Sequence, residues 1–328
     1  MVGLQVHASN DLEILADALA EVLDGVDADP FVTQSVVVQS LGVQRWLTWR
    51  LARERGICAG IEFASPKQFI DQCLGVGPDG WEREPLAWRL VGTMQASFGE
   101  TGFEEVARYL GRDDVDQSKA FGLATRLAHL FDQYLVYRPG LIADWRAGNN
   151  LDWQGHLWRV VQADIGGEDP ALRRELFLQS PPVVKGEGPV CFFGLGLLPP
   201  EYLRVIHAAA RSREVHLFIV QPTHLEWTDL LTIREEARLE SAGELHGHPL
   251  LVSMGRQGRE FQNILLEMVG GYDHEHFTPP AGAPLLAQLQ GDIFQVDHVP
   301  DRARGVDGAD ASIQVHACHS PLREVEVL

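Results

Sequence analysis

The hydrophobic pattern of the 328-residue chain changes period twice. At first, short apolar runs alternate with helical stripes. Leu4–Ala8 predicts a short strand, and Ser9 or Asn10 is expected to cap a helix with the stripe Leu12, Leu15, Leu19 and Val22. Val36-Val37-Val38, inside the segment Ser35–Ser40, reads as a strand buried on both faces. Val43, Trp46, Leu47 and Leu51 then recur at helical spacing, and Gly56 is the natural cap at the end of that helix. Ile61–Phe63 is another strand candidate. Ser65-Pro66 opens a short helix, with serine as cap and proline in the first position.

Residues 76–185 show only the helical period. Pro85–Phe98 carries Leu86, Leu90 and Met94, and Phe103–Leu110 is a second helix. Phe121–Tyr137 is the clearest, with Leu123, Leu127, Leu130, Phe131, Tyr134 and Leu135 turned inward, and a further helix runs through residues 158–161. Near residue 190 the short runs return. Val190–Leu195 predicts a buried strand, a helix passes through Tyr202, Val205 and Ile206, and Val215–Val220 is the next strand. Strand, helix, strand in that order is a βαβ unit, which implies parallel pairing and a right-handed crossover. Residues 223–297 read as helices with loops, Asp297–Ala311 as a mobile loop, and Ser312–Ala317 as a final strand. Ser320-Pro321 starts a helix that the chain leaves after two turns, so a piece of a longer protein is expected.

The pattern therefore predicts an α/β fold with a parallel sheet, divided as 1–75 (α/β, first part), 76–185 (a helical insertion) and 186–328 (α/β, continued). A hydrophobic share of 45% suits a globular chain. The formal charge of −19 makes the average surface repel nucleic acid, so any such contact must come from a local patch or from partner chains. Four cysteines (Cys58, Cys73, Cys191 and Cys318) form no C-x-x-C pair, and three lie in apolar context as buried free thiols. A reducing, cytoplasmic setting follows. No signal peptide is visible, and the longest apolar run, Val190–Leu198, is too short to cross a bilayer, so no membrane association is expected.

The strand–elbow–helix at 35–56 is where nucleotide-binding folds place a phosphate loop. That loop requires Gly-Lys before Ser or Thr. The three lysines, Lys67, Lys119 and Lys185, follow Pro66, Ser118 and Val184, so no such loop exists in these residues. Nucleases of the restriction type place an acid two residues before a catalytic lysine, but Ser65, Gln117 and Val183 stand there. Gly194-x-Gly196 is no dinucleotide fingerprint, because Pro199 occupies the third glycine position. No catalytic residue and no metal centre is expected: His316, Cys318 and His319 have no second cluster to complete a tetrahedral set, and His246 with His248 is weaker still.

Two surfaces could contact nucleic acid. Arg45, Trp49 and Arg53 share one helix face at i, i+4 and i+8, a spacing that suits base stacking and phosphate contact; the alternative is a Trp49 packed in a core beside solvated arginines. The outward face of the 121–137 helix offers Arg126, His129, Asp132 and Gln133, followed by Arg138, which are base-edge readers but also ordinary solvated residues.

Several blocks go beyond pattern. Val38-Gln39-Ser40-x-Gly42-x-x-x-Trp46-Leu47, Leu130-Phe131-Asp132-Gln133-Tyr134-Leu135-Val136-Tyr137-Arg138-Pro139, Phe193-Gly194-Leu195-x-x-Leu198-Pro199-Pro200 and Cys318-His319-Ser320-Pro321-x-Arg323-Glu324-Val325-Glu326-Val327-Leu328 stand here in order. So do Gly56-Ile57-x-Ala59-x-Ile61-x-Phe63 and His248-Pro249-Leu250-Leu251 with Gly255-x-x-Gly258-Arg259. In these the chain resembles the RecC family, the gamma subunit of exodeoxyribonuclease V (the RecBCD complex), over its N-terminal portion. The resemblance implies a superfamily-1 helicase-like (RecA-like) domain that has lost its ATP site and is interrupted by an all-helical domain. It implies no catalysis by this chain. ATP and Mg would belong only to partner subunits, RecB and RecD, and the ligands would be double-stranded DNA ends and single-stranded DNA scanned for Chi.

By the same resemblance, Gln39, Leu130, Asp132, Gln133, Arg138 and Arg173 take Chi-reading positions, with Arg174 an alternative to Arg173 in a loosely matched region. Leu41, Arg45, His129, Ser65 and Asp71 depart from the family residues Thr, Gln, Asp, Leu and Trp; the first three remain possible DNA contacts. The departures imply a changed Chi sequence or none. The competing expectation is an active helicase or nucleotide-binding protein with a non-standard loop.

Overall fold

A computed structural model describes residues 3–25, 32–77, 80–149, 152–184, 186, 188–225, 227, 248–296 and 307–328. The chain forms two compact units, residues 1–4, 62–190 and 198–215 in the first, and residues 5–61, 191–197 and 216–328 in the second.

The second unit carries most of the strands: β1 (Leu4–Ser9), β2 (Gln34–Val38), β4 (Val190–Leu195), β5 (Val215–Val220) and β6 (His274–Glu275). With β3 (Ile61–Ala64), at which the chain passes from one unit to the other, they make a mostly parallel six-stranded sheet in the order β3-β2-β4-β5-β1-β6. The predicted βαβ unit is present, with β4 beside β5. Val36, Val37, Phe192, Phe193, Leu217 and Phe218 are almost wholly buried, as a strand covered on both faces requires. The sheet is joined by α1 (Leu12–Asp24) and α2 (Leu41–Arg55). Leu15, Leu19 and Leu23 face inward from α1, and Leu47 and Leu51 from α2. Ser40 caps α2 by accepting from the Val43 N–H, and Gly56 ends it at φ 78°.

The cap of α1 differs from expectation. Asp11 fills it, accepting from the Glu13 N–H. Ser9 and Asn10 are engaged elsewhere: the Ser9 hydroxyl donates to the His276 carbonyl (2.8 Å), and Asn10 exchanges two hydrogen bonds with the Thr278 backbone (2.8 and 3.0 Å). The Asp273 carboxylate adds a bond from the Val6 N–H (2.8 Å), so side chains fasten the two-residue β6 alongside β1. Four imidazoles meet at this join. His7 meets His216 through its ring nitrogens at 3.0 Å and His276 at 3.4 Å, and stacks on His274 with ring centres 4.3 Å apart. Burial, then the neighbouring histidines, depress the His7 pKa from 6.5 to about 3.

The first unit is helical: α3 (Pro66–Cys73), α4 (Arg83–Ala96), α5 (Glu104–Leu110), α6 (Gln117–Tyr137), α7 (Pro139–Ala147), α8 (Trp153–Ile165), α9 (Pro170–Gln179) and α10 (Pro200–Ala209). Ser65 and Gln68 form a reciprocal capping box on α3. One apolar cluster runs from Trp81 to Ala171 and centres on Phe131, Trp145 and Trp158. Ala120, Ala124 and Ala128 are buried on α6, while Leu123 and Tyr134 pack only partly against the cluster and Leu130 is half-buried. Small side chains let α4 lie close to α6, which a count of large apolar residues does not anticipate.

The second unit continues through α11 (Pro249–Met254), α12 (Arg256–Val269), α13 (Leu285–Gln295) and α14 (Pro321–Val327), the last capped by Ser320. The expected strand at Ser312–Ala317 is not formed. Val315 is 92% exposed, and the place beside β1 is taken by β6. Most of the predicted 297–311 loop, and residues 228–247 of the predicted helical stretch, lie outside the described residues. Of the cysteines only Cys191 is buried; the other three are half-buried and free. No helix of the described residues is long and apolar enough to cross a membrane.

Candidate nucleic-acid interface

In the second unit the candidates gather where β2 ends. Gln39 follows the strand and is exposed, and its Nε2 donates to the Leu197 carbonyl (2.6 Å). It lines an open cleft of about 660 Å³ with Gly196 and Leu197 after β4 and Val220 and Gln221 at the end of β5. The cleft thus opens at the carboxyl ends of three neighbouring strands, β2, β4 and β5, where α/β folds receive ligands. A second cleft of about 650 Å³ opens on the same face, lined by Asn10 and Asp11 beyond β1, Pro222 beyond β5, and Thr278. Leu41, at the first position of α2, is 71% exposed, and Arg45 is exposed one turn on. Trp49 is 59% exposed, so it is not a core residue, and the Arg53 guanidinium lies 5.4 Å from its ring centre.

In the first unit the candidates lie on the second half of α6 and just past it. His129 and Gln133 are exposed one turn apart and hydrogen-bonded to each other at 3.2 Å. Leu130 is half-buried. Arg138, in the break between α6 and α7, is exposed with its guanidinium 5.4 Å from the Tyr134 ring centre. Asp132 is engaged: one carboxylate oxygen accepts from Nε and Nη2 of Arg83 (2.8 and 2.6 Å). It also lines a cleft of about 320 Å³ with Lys67, Asp71, Arg174 and Tyr202. Asp71 pairs with Lys67 at 2.8 Å. Burial, then the Asp71 and Asp132 carboxylates, push the Tyr202 hydroxyl up to about 12, against the pull of Arg174, so it stays a neutral donor.

Arg173 and Arg174 are separated by burial. Arg174 is 3% exposed, donates to the Leu135 carbonyl (2.5 Å) and pairs with Glu201 at 3.3 Å, so its charge holds α9 and α10 in place. Arg173 is half-buried on the same helix. Asp132, Asp71 and Arg174 therefore share one cleft, and His129, Gln133 and Arg138 are exposed near one end of α6. That Arg83 and Tyr202 come close to Asp132 escaped sequence reading. They stand 49 and 70 residues from Asp132, beyond the reach of any helical or strand period. Among the described residues no group of three or more His, Cys, Asp or Glu is arranged to hold a metal; His248 caps α11, and His246 lies outside the described residues.

These features define a mostly parallel α/β protein whose strand ends present an exposed glutamine, Gln39, and open clefts, with no Gly-Lys phosphate loop anywhere in the sequence. The family model described as RecC, N-terminal domain, matches residues 4–296. The RecBCD enzyme subunit RecC of Mycolicibacterium smegmatis is 33% identical over 100% of this chain and 31% of its own length. The Escherichia coli subunit is 30% identical over 99% of this chain and 35% of its own, and the Haemophilus influenzae subunit 28% over 98% and 36%. The chain belongs to the RecC family. It spans about a third of the length of these curated relatives.

Proposed function

We propose that this chain is a non-catalytic DNA-binding and scaffold part of the ATP-dependent helicase–nuclease exodeoxyribonuclease V, acting with RecB and RecD in the recombinational repair of double-strand breaks in the cytoplasm. Its α/β part is a helicase-like domain, residues 1–75 and 186–328, interrupted by a helical domain at 76–185. It binds no ATP or Mg of its own; these serve the partner subunits. It guides the 3′-ended strand and scans it for Chi, with Gln39, Leu130, Asp132, Gln133, Arg138 and Arg173 at the reading positions. The observation that carries the reading is the exposed Gln39 beside an open cleft at three strand ends, in a family member whose elbow reads Gln-Ser-Leu-Gly in place of a phosphate loop.

Because Leu41, Arg45 and His129 replace polar family residues of other chemistry, discrimination of roughly 1–3 kcal/mol per lost reader is removed. Asp71 in place of an aromatic ring also changes the floor of the Asp132 cleft. The enzyme complex containing this chain is expected to ignore the usual Chi octamer. Mapping cleavage on DNA with and without that octamer tests this, and normal attenuation at Chi would overturn it. ATP hydrolysis by this chain alone would overturn the scaffold role.

A further inference from the structure

We propose that the outward face of α2 is a sequence-independent contact for single-stranded DNA, in which the Trp49 indole stacks on a base while Arg45 and Arg53 hold the phosphates on either side. The inference rests on the reading that a DNA strand passes this chain, and extends it from Leu41 and Arg45, which stand at family reading positions, to Trp49 and Arg53.

Helical spacing places Leu41, Arg45, Trp49 and Arg53 on one face, over about 18 Å of helix. Leu47 and Leu51 turn the other way, into the core, and Trp46 stacks on Phe193 at 6.1 Å. Trp49, at 59% exposed, lies outside the buried core. It holds a large flat surface in solvent, steadied from one side by the Arg53 guanidinium.

The arginines are as distinctive. Arg50, on the acidic side of the helix, is clamped by Glu13, Asp17 and Glu54 at 3.2, 2.8 and 2.7 Å, and Arg55 pairs with Asp24. Arg45 and Arg53 form no ion pair with a carboxylate among the described residues, in a chain with 46 acidic and 27 basic side chains. Arg53 feels the charge of Glu54, whose carboxylate Arg50 holds at 2.7 Å, and both guanidiniums are placed to take an outside anion. Here guanidinium groups separate Leu41 from Trp49 and follow it, which is the arrangement of a stacking platform for single strands. A duplex keeps its bases stacked on one another and offers no face to the indole. The stripe also begins within two residues of Gln39, so a strand leaving the strand-end cleft would reach it directly.

The test uses the complete enzyme complex and single-stranded oligothymidylate carrying 5-iododeoxyuridine, irradiated and mapped by mass spectrometry, with binding measured in parallel. An adduct on Trp49 is expected. Trp49→Ala should weaken binding by about 5- to 150-fold and Trp49→Phe much less. Arg45→Gln with Arg53→Gln should lower the slope of log affinity against log salt by about 1.4. Adducts elsewhere in the chain but none on α2, with unchanged affinity in Trp49→Ala, overturn this inference and leave the strand-guiding role standing. Absence of adducts anywhere in the chain overturns both. Crosslinking of Trp49 to another subunit assigns the face to protein contact and also overturns it.

Discussion

His7 is closed in by three imidazoles and the Phe218 ring, whose centre lies 4.4 Å from its own. Its folded pKa of about 3 lies below the ordinary 6.5, so between these values the unfolded chain binds a proton that the folded chain refuses. Stability from this group is complete above about pH 6.5 and is lost as the pH falls toward 3. The melting temperature should therefore drop across that window. His7→Phe, which keeps the stacking on Phe218 and removes the ionisation, should flatten the drop. Equal slopes in variant and parent would show that His7 does not govern it. None of this was legible in the sequence, because the four histidines come from β1, β5, β6 and the residue next to β6. Asp132 teaches the same lesson. Its helix face could be read from period, but its partner Arg83 could not.

At the scale of elements, most strands and helices followed from apolar period and caps. Val190–Leu195 and Val215–Val220 are strands over the predicted residues, and Gly56 and Ser65 bound their helices as expected. Helices α7 and α9 escaped notice. They are short and begin at Pro139 and Pro170, and their buried faces rest on few large residues such as Ile142, Trp145 and Phe177. The error at Ser312–Ala317 came from alternation alone, since a strand also needs an open neighbour. The close approach of α7 and α8 gives a sharp test. A Cβ on Gly155 would lie 2.6 Å from Nε1 of Trp145, which is 1% exposed. Gly155→Ala should cost about 1–3 kcal/mol through overpacking. Gly122→Ala, with nothing within 4 Å, should stabilise α6 by up to about 1 kcal/mol. Thermal or urea denaturation reads both, and a neutral Gly155→Ala would show that Trp145 can yield.

For the whole molecule, charge sets the terms of any encounter with DNA. At a formal −19, the isolated chain is expected to bind single-stranded oligonucleotides only weakly, with long-range repulsion opposing the α2 stripe. Titration by fluorescence anisotropy at low and physiological salt checks this, and tight, strongly salt-dependent binding would contradict it. Composition gave that repulsion directly, whereas which arginines remain unclaimed by neighbouring carboxylates depended on packing. The two-residue β6 has a consequence of a different kind. A bare strand at the margin of a sheet invites pairing with a second copy, and exchange of strands between molecules begins at such margins. Here residues 273–278, laced to β1 by side-chain bonds, occupy that margin. Two copies could join through β1 only after this segment is peeled away, and acid strong enough to charge the buried His7 is the condition that would loosen it and favour strand exchange.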